Sequence, residues 1–185
     1  MMRSLASLAL LLAGCATPQA PDLAPGLLSF EAQAPLSIRG DWALLEDRHD
    51  GRRTRGRHLT RHGEMLDRVW LVEGVRTGQR LVEASHNTRD GPPHSGRDLQ
   101  DLVQGSLWAL GYGGVAWDTP PDAGDGVWGA RARFITINDD GLEYSGAMRA
   151  RQRGDRLDLA IWIAESDVYA PRIKADADAI LDQLG

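Results

Sequence analysis

Residues 48–58 read Arg48-His49-Asp50-Gly51-Arg52-Arg53-Thr54-Arg55-Gly56-Arg57-His58. Guanidinium groups make bidentate hydrogen bonds to phosphate and carboxylate. Arg52, Arg53, Arg55 and Arg57 are therefore a candidate surface for phosphate, lipopolysaccharide or an acidic partner. The competing reading is a solvated hairpin whose arginines pair with surplus carboxylates. The chain holds 20 Arg and one Lys, a bias that weakens any argument from arginine density. His58 and His62 are four apart, with Glu64 and Asp67 following. On a helix they would share a face and could hold a metal. Here the surroundings read as strand and turn, where that spacing covers ~13 Å. No third ligand is fixed by spacing, and neither a metal nor a cofactor is expected. His86, His94 and Asp98 gather around a long loop before a helix, where a His/Asp pair could perform acid–base chemistry. No G-x-S-x-G elbow or catalytic Cys accompanies them. Loop polarity and a helix cap are the plainer account.

The tryptophans are a further candidate. Six Trp against two Phe is unusual. Trp42, Trp70 and Trp162 fall in expected strands, where packing is the default. Trp108 lies off the apolar stripe of its helix at ~100° per residue. With Trp117 and Trp128 beside Gly/Pro loops, it could line a binding surface; packing against a loop is the alternative.

The elements that must position these groups follow from periodicity. Strands are expected at 37–46 around Trp42, 54–60, 65–73 and 80–85. The run Val69-Trp70-Leu71-Val72 suggests a central strand covered on both faces. Leu99, Leu102, Val103, Leu107 and Leu110 recur at helical spacing, with Ser95 and Asp98 as a capping signature and Gly111 or Gly113-Gly114 as the stop. Three strands follow, at 127–137, 142–151 and 156–164, divided by Asn138-Asp139-Asp140-Gly141 and Arg153-Gly154-Asp155. Leu142, Tyr144, Gly146, Met148 and Ala150 should share one face. Leu157, Leu159, Ile161 and Ile163 should point inward. A closing helix carries Tyr169, Ile173, Ala177, Ile180, Leu181 and Leu184 on one stripe, with Lys174, Asp176, Asp178 and Asp182 wet. Pro171 suits its first turn and Gly185 the position after its end. Hairpin-length turns imply antiparallel pairing. The expected class is α+β, an antiparallel β-sheet with a central and a C-terminal α-helix packed on it.

Composition agrees with one soluble domain plus a tail: 42% apolar, 25% charged, net charge −5. The acidic balance argues against nucleic acid as a partner. The single cysteine excludes an internal disulfide framework and a multi-Cys zinc site.

That cysteine has its own context. Met1-Met2-Arg3-Ser4 is a short positive segment, and residues 5–13 are mostly apolar. The run is too short for a bilayer span, which takes ~20 residues, and it fits a signal peptide. It closes on Leu12-Ala13-Gly14-Cys15, which resembles the lipobox of bacterial lipoproteins. The resemblance implies cleavage after Gly14, diacylglyceryl attachment at Cys15 and acylation of the new N-terminus. Several acyl chains meet the two-signal requirement for stable anchoring. Residues 1–14 would then be the signal peptide and 15–36 the lipidated Cys and a Pro-rich tether. With Pro18, Pro21, Pro25 and Pro35, that tether reaches on the order of 60 Å when extended. Residues 37–185 would be the single domain. Ala16, not Asp, follows the cysteine. By resemblance to enteric sorting this implies the outer membrane, facing the periplasm.

The domain carries fainter resemblances. Thr60-Arg61-His62-Gly63-Glu64-Met65-Leu66-Asp67 has the form T-x-x-G-x-x-L-D. With residues 74–81, 142–148 and the closing helix, it resembles a group of proteobacterial envelope lipoproteins that has no activity to carry over. The final hairpin plus helix, over residues 127–185, is similar to PsbP-like domains, which implies a sandwich around an antiparallel sheet and an accessory or binding role. The functional expectation is a membrane-anchored, non-enzymatic module that binds an envelope protein or small envelope component. The alternative is an envelope hydrolase using His86 or His94 with Asp98.

Overall fold

Alternating apolar residues need a sheet with partners on both sides. The computed structural model describes residues 26–28, 36–38, 41–48, 55–63, 65–82, 85, 96–121 and 129–184. Two short strands, β1 (Gly26–Leu28) and β2 (Leu36–Ile38), form an antiparallel pair. The main sheet is built from β3 (Ala43–Arg48), β4 (Arg55–Thr60), β5 (Asp67–Val75), β6 (Tyr112–Thr119), β7 (Gly129–Asn138), β8 (Glu143–Arg153) and β9 (Arg156–Glu165). Helix α1 (Gly96–Ala109) joins β5 to β6, and α2 (Ala170–Asp182) follows β9. The spatial order is β3-β4-β5-β9-β8-β7-β6, antiparallel throughout. The α+β class expected from the sequence is the class observed.

Each face of the sheet has its own helix. Leu99, Leu102, Val103 and Leu107 of α1 pack with Trp70, Val72, Phe134, Met148, Leu157, Leu159 and Ile161. Ile173, Ala177, Ile180 and Leu181 of α2 pack with Val69, Leu71, Ala160, Trp162 and Ala164. Neighbouring residues of β5 and β9 thus enter opposite cores, as period-two side chains must. Burying each such Leu or Ile contributes ~1.5–3 kcal/mol. Leu36 and Ile38 of β2 join the α2 core. The Gln183 carboxamide accepts from Ser37 N–H at 2.6 Å and donates to Ser37 C=O at 3.0 Å. Ordered chain therefore includes Gly26–Leu28 and Leu36, within the stretch read as tether.

Three local expectations need correction. The strand expected at 37–46 is two strands, β2 and β3, in different sheets, with buried Trp42 between them. Residues 80–82 of the strand expected at 80–85 are not strand. The edges of β5 are already occupied by β4 and β9, so no hairpin partner can pair there. Instead Leu81 and Val82 pack in the α1 core. Conversely, β6 was not expected. Gly111, at φ +87°, is the glycine that closes α1. Gly113 and Gly114 belong to a bulged edge strand with register shifts at 113–116 and 117–119. Such bulges and short edges discourage further strand pairing.

Gly146 faces Phe134 across the β7–β8 ladder. A Cβ there would sit 2.8 Å from the Trp162 carbonyl oxygen and closer still to the Phe134 ring. Gly146→Ala should cost about 1–3 kcal/mol by overpacking, read as a lower urea midpoint with unchanged slope. Phe134→Leu in the same chain should recover part of the loss. Additive losses would show that the ring contact is not the cause.

Candidate functional site

The strongest polar constellation is the turn between β4 and β5. Thr60 ends one strand and Asp67 starts the next. Asp67 is 1% exposed, so its carboxylate must find donors inside the protein. Thr60 Oγ1 donates to Oδ1 at 2.8 Å, and Arg61 N–H to the same oxygen at 2.7 Å. His62 N–H donates to Oδ2 at 3.1 Å, and His62 Nδ1 forms a second, short hydrogen bond to that oxygen. Gly63 N–H donates to Thr60 Oγ1 at 2.9 Å. Gly63 has φ +122°, a region that a side chain disfavours. Its carbonyl accepts from Leu66 and Asp67 N–H. The T-x-x-G-x-x-L-D segment is thus a closed loop around one carboxylate.

This loop reaches the rest of the fold. Arg61 donates to Asp176 of α2 at 2.7 Å, lies 3.2 Å from Asp41, and stacks its guanidinium 4.7 Å from the Trp42 ring centre. The His62 ring tilts against Tyr169 at 5.1 Å. Tyr144 Oη donates to Met65 C=O at 2.6 Å, and Glu165 N–H to Leu66 C=O at 3.0 Å. Burial holds the Tyr144 phenol above its ordinary pKa, helped by the Glu165 and Asp140 carboxylates. Asp176 and Asp178 are accordingly not free on the wet face of α2. Asp178 accepts from Trp162 Nε1 at 2.8 Å and pairs with Arg133 at 3.3 Å. A histidine oriented by a buried carboxylate can shuttle protons. The neighbouring Thr60 hydroxyl is engaged within the turn: it donates to Asp67 and accepts from Gly63 N–H. The arrangement acts as a latch.

The sequence candidates are placed far apart. β5 runs from Asp67 to Val75, and registers put the ends of β4, β7 and β9 and the starts of β6 and β8 at its Asp67 end. Trp108, in the last turn of α1, lies toward that end and is exposed. Trp117 stands further along β6, roughly 16 Å beyond Tyr112 at ~3.3 Å per residue. Its ring packs edge-to-face on Phe134 at 5.4 Å, partly buried under α1. Arg55 begins β4 at the opposite, Val75 end, and Arg57 is buried within that strand at 6% exposure. Asp98 is exposed in the first turn of α1. His58 packs against Trp70 at 5.7 Å, apart from the Asp67 loop. Cys15, Arg52, Arg53, His86, His94, Ser95, Trp128 and Gly185 lie outside the described residues.

A cavity of about 220 Å³ opens between α2 and strands β7 and β8. Its walls include Arg133, Arg149, Ala147, Asp178, Leu181 and Asp182. Arg133 pairs with Asp178, and Arg149 with Asp182 at 3.5 Å. The cavity is smaller than ligand sites of ~300–1,000 Å³, and its charges neutralise one another. Sequence reasoning named none of these four ionic residues as a site, because Arg on a strand and Asp on a helix read as solvated faces. It also grouped Leu142 with Tyr144, Gly146, Met148 and Ala150 on one strand face; Leu142 sits in the hairpin before β8 and is exposed, so the buried alternation starts at Tyr144.

Among the described residues no helix is long and apolar enough to cross a membrane. In comparisons with known proteins, no family model and no curated protein matches the chain.

One measurement tests the latch and a second tests the neighbouring β9–α2 turn. Asp67→Ala should lower unfolding stability by about 3 kcal/mol, because two backbone N–H groups and a hydroxyl lose a buried acceptor. Asp67→Asn should lose less, since its oxygen still serves Thr60 and Arg61 while its NH₂ meets the His62 N–H. Equal stability of all three proteins in urea would disprove the role. Glu165 accepts from Asp167 and Val168 N–H at 2.9 Å each, and these bonds hold its pKa below the ordinary glutamate value. A depressed folded pKa adds stability above the unfolded value and loses it as pH falls through the folded one. Glu165→Gln should therefore be less stable than wild type at neutral pH and converge with it in acid. A gap that persists at low pH would refute the assignment.

Proposed function

We propose that this protein is a lipid-anchored envelope lipoprotein whose domain acts as a non-enzymatic binding or accessory module. The observation that carries the reading is Leu12-Ala13-Gly14-Cys15 at the end of a short apolar run, with the chain's one cysteine in the position to be lipidated. Ala16 favours the outer membrane, with the domain facing the periplasm. Residues 16–25 lie between Cys15 and β1. An extended, Pro-rich chain of that length would hold the domain roughly 30 Å from the surface at ~3.1 Å per residue. That is about half the reach of a tether extending to residue 36, since β1 is already paired with β2.

The antiparallel sheet with a helix on each face supports the finer reading of a PsbP-like sandwich. The binding role is supported by the Asp67 loop, whose hydroxyl, carboxylate and backbone donors are all engaged in holding shape. An envelope protein is the partner this reading assigns, with the bilayer engaged through Cys15.

Cys15→Ala tests the anchor. The variant should keep the full precursor mass, lack lipid by mass spectrometry and leave the membrane fraction. Density fractionation of wild type should place it with outer membranes. Unchanged processing in the variant, or a wild type that fractionates as a soluble protein, would overturn the reading.

A further inference from the structure

Among the described residues, six large apolar side chains are exposed: Met65, Trp108, Ile135, Ile137, Leu142 and Val168. Single exposed apolar residues are ordinary, but three of these lie in adjoining turns at one end of the sheet. Met65 lies in the β4–β5 turn, Leu142 in the β7–β8 hairpin and Val168 in the β9–α2 connection, all at the Asp67 end of the sheet. They are 61%, 49% and 44% exposed. Ile137 is next to last in β7, which ends there. Trp108 closes the helix that hands the chain to Tyr112 at the same end. Ile135 stands two residues behind Ile137 on the same face of β7.

The turns that carry these side chains are stitched to one another. Tyr144 Oη binds Met65 C=O, Glu165 N–H binds Leu66 C=O, and Ser166 N–H binds Glu143 C=O. A surface fixed in advance loses little entropy when it binds. The same turns carry exposed carboxylates, Asp139, Asp140, Glu143 and Asp167. Arg172 and Lys174 are exposed cations in the first half of α2, and Arg172 lies 5.6 Å from the Tyr169 ring. Burial chiefly raises the Tyr144 pKa, and the nearby Glu165 and Asp140 carboxylates add to the shift.

We propose that the Asp67 end is a docking surface for a protein segment with an apolar face and basic flanks. Met65, Leu142 and Val168 form the apolar contact, and Asp139, Asp140 and Asp167 its charged rim. The proposal rests on the reading of the domain as a binding module and adds which end binds and what chemistry it selects. An anionic bilayer would meet the carboxylate rim with like charge. A second copy docked end to end would do the same, and like charges across an interface are costly.

Site-specific photo-crosslinking in the full-length protein tests this. A photoreactive residue at position 65, 142 or 168 should give one protein adduct in the envelope, whose crosslinked peptide joins apolar residues to Lys or Arg. The same group at Thr77 or Arg97, exposed at the Val75 end, should not. Asp139→Lys, Asp140→Lys and Asp167→Lys together should cut the adduct at least tenfold, and the matching Asn replacements should give an intermediate loss. Adducts to lipid or to a second copy, equal yields from 77 and 97, no adduct, or indifference to charge reversal would each overturn the proposal. The map is read whether or not Cys15 is lipidated. A failed anchor leaves a soluble protein with an intact map, whereas a failed docking end leaves an anchored protein with adducts elsewhere or none.

Discussion

A carboxylate removed from water must be surrounded by donors, and among the described residues Asp67 draws its donors from Thr60, Arg61 and His62 just before it. Thr60, Arg61 and His62 supply a hydroxyl, two backbone N–H groups and an imidazole nitrogen. In a low-dielectric interior a missing partner would cost the full desolvation of the group. The turn is therefore restricted to one conformation. That conformation sends the Arg61 side chain to Asp176 and Asp41 and places His62 against Tyr169. The seating of α2 and the approach of Trp42 before β3 thus depend on the same carboxylate. Arg61 is 13% exposed along its side chain, so its ion pair with Asp176 is less screened than a surface pair and its fork geometry is not replaceable by lysine.

The sheet imposes a second constraint, because its central strands are buried on both faces. β9 shows this best: Leu157, Leu159, Ile161 and Ile163 fill the α1 side, while Ala160, Trp162 and Ala164 fill the α2 side. Polar side chains on these central strands must then be partnered. Asp158, 1% exposed, accepts from Gly74 N–H at 2.9 Å and from Arg153 Nε at 2.5 Å. That hydrogen bond raises the Arg153 pKa and fixes the chain near the Val75 end much as Asp67 does at the other. Gly74, at φ +69°, sits at the register shift of β5 that turns its N–H toward Asp158.

What could be read in advance follows from this physics. The runs in β4, β5, β8 and β9 and the stripes of α1 and α2 were legible because one-dimensional periodicity encodes which side of an element is buried. Val69-Trp70-Leu71-Val72 announced a doubly covered strand for that reason. Residues 80–82 misled because Leu81 and Val82 are apolar for the α1 core, and strand pairing depends on a free neighbour that local pattern cannot reveal. β6 was hidden because Gly113 and Gly114 read as helix punctuation. The importance of Asp67 was visible only as a spacing, T-x-x-G-x-x-L-D. Nothing in the letters says that the aspartate folds back on the threonine and histidine. Asp176 and Asp178 looked wet because their partners, Arg61, Arg133 and Trp162, are distant in sequence.

Two of the side chains that stand out in the sequence, Arg55 and Trp108, lie at opposite ends of the sheet. The arginine-bearing strand β4 starts at the Val75 end, whereas Trp108 closes α1 toward the Asp67 end. β5 between them spans roughly 30 Å at ~3.3 Å per residue. Of the two ends, the Asp67 end has the better-defined chemistry. Its polar groups hold one another: Thr60 both donates and accepts, Asp67 is ringed by donors, and His62 Nδ1 bonds to Asp67. What they leave facing outward is apolar, rimmed by carboxylates and fixed in shape. Such a surface supports the proposed binding role, because little conformational freedom is lost when a partner meets it.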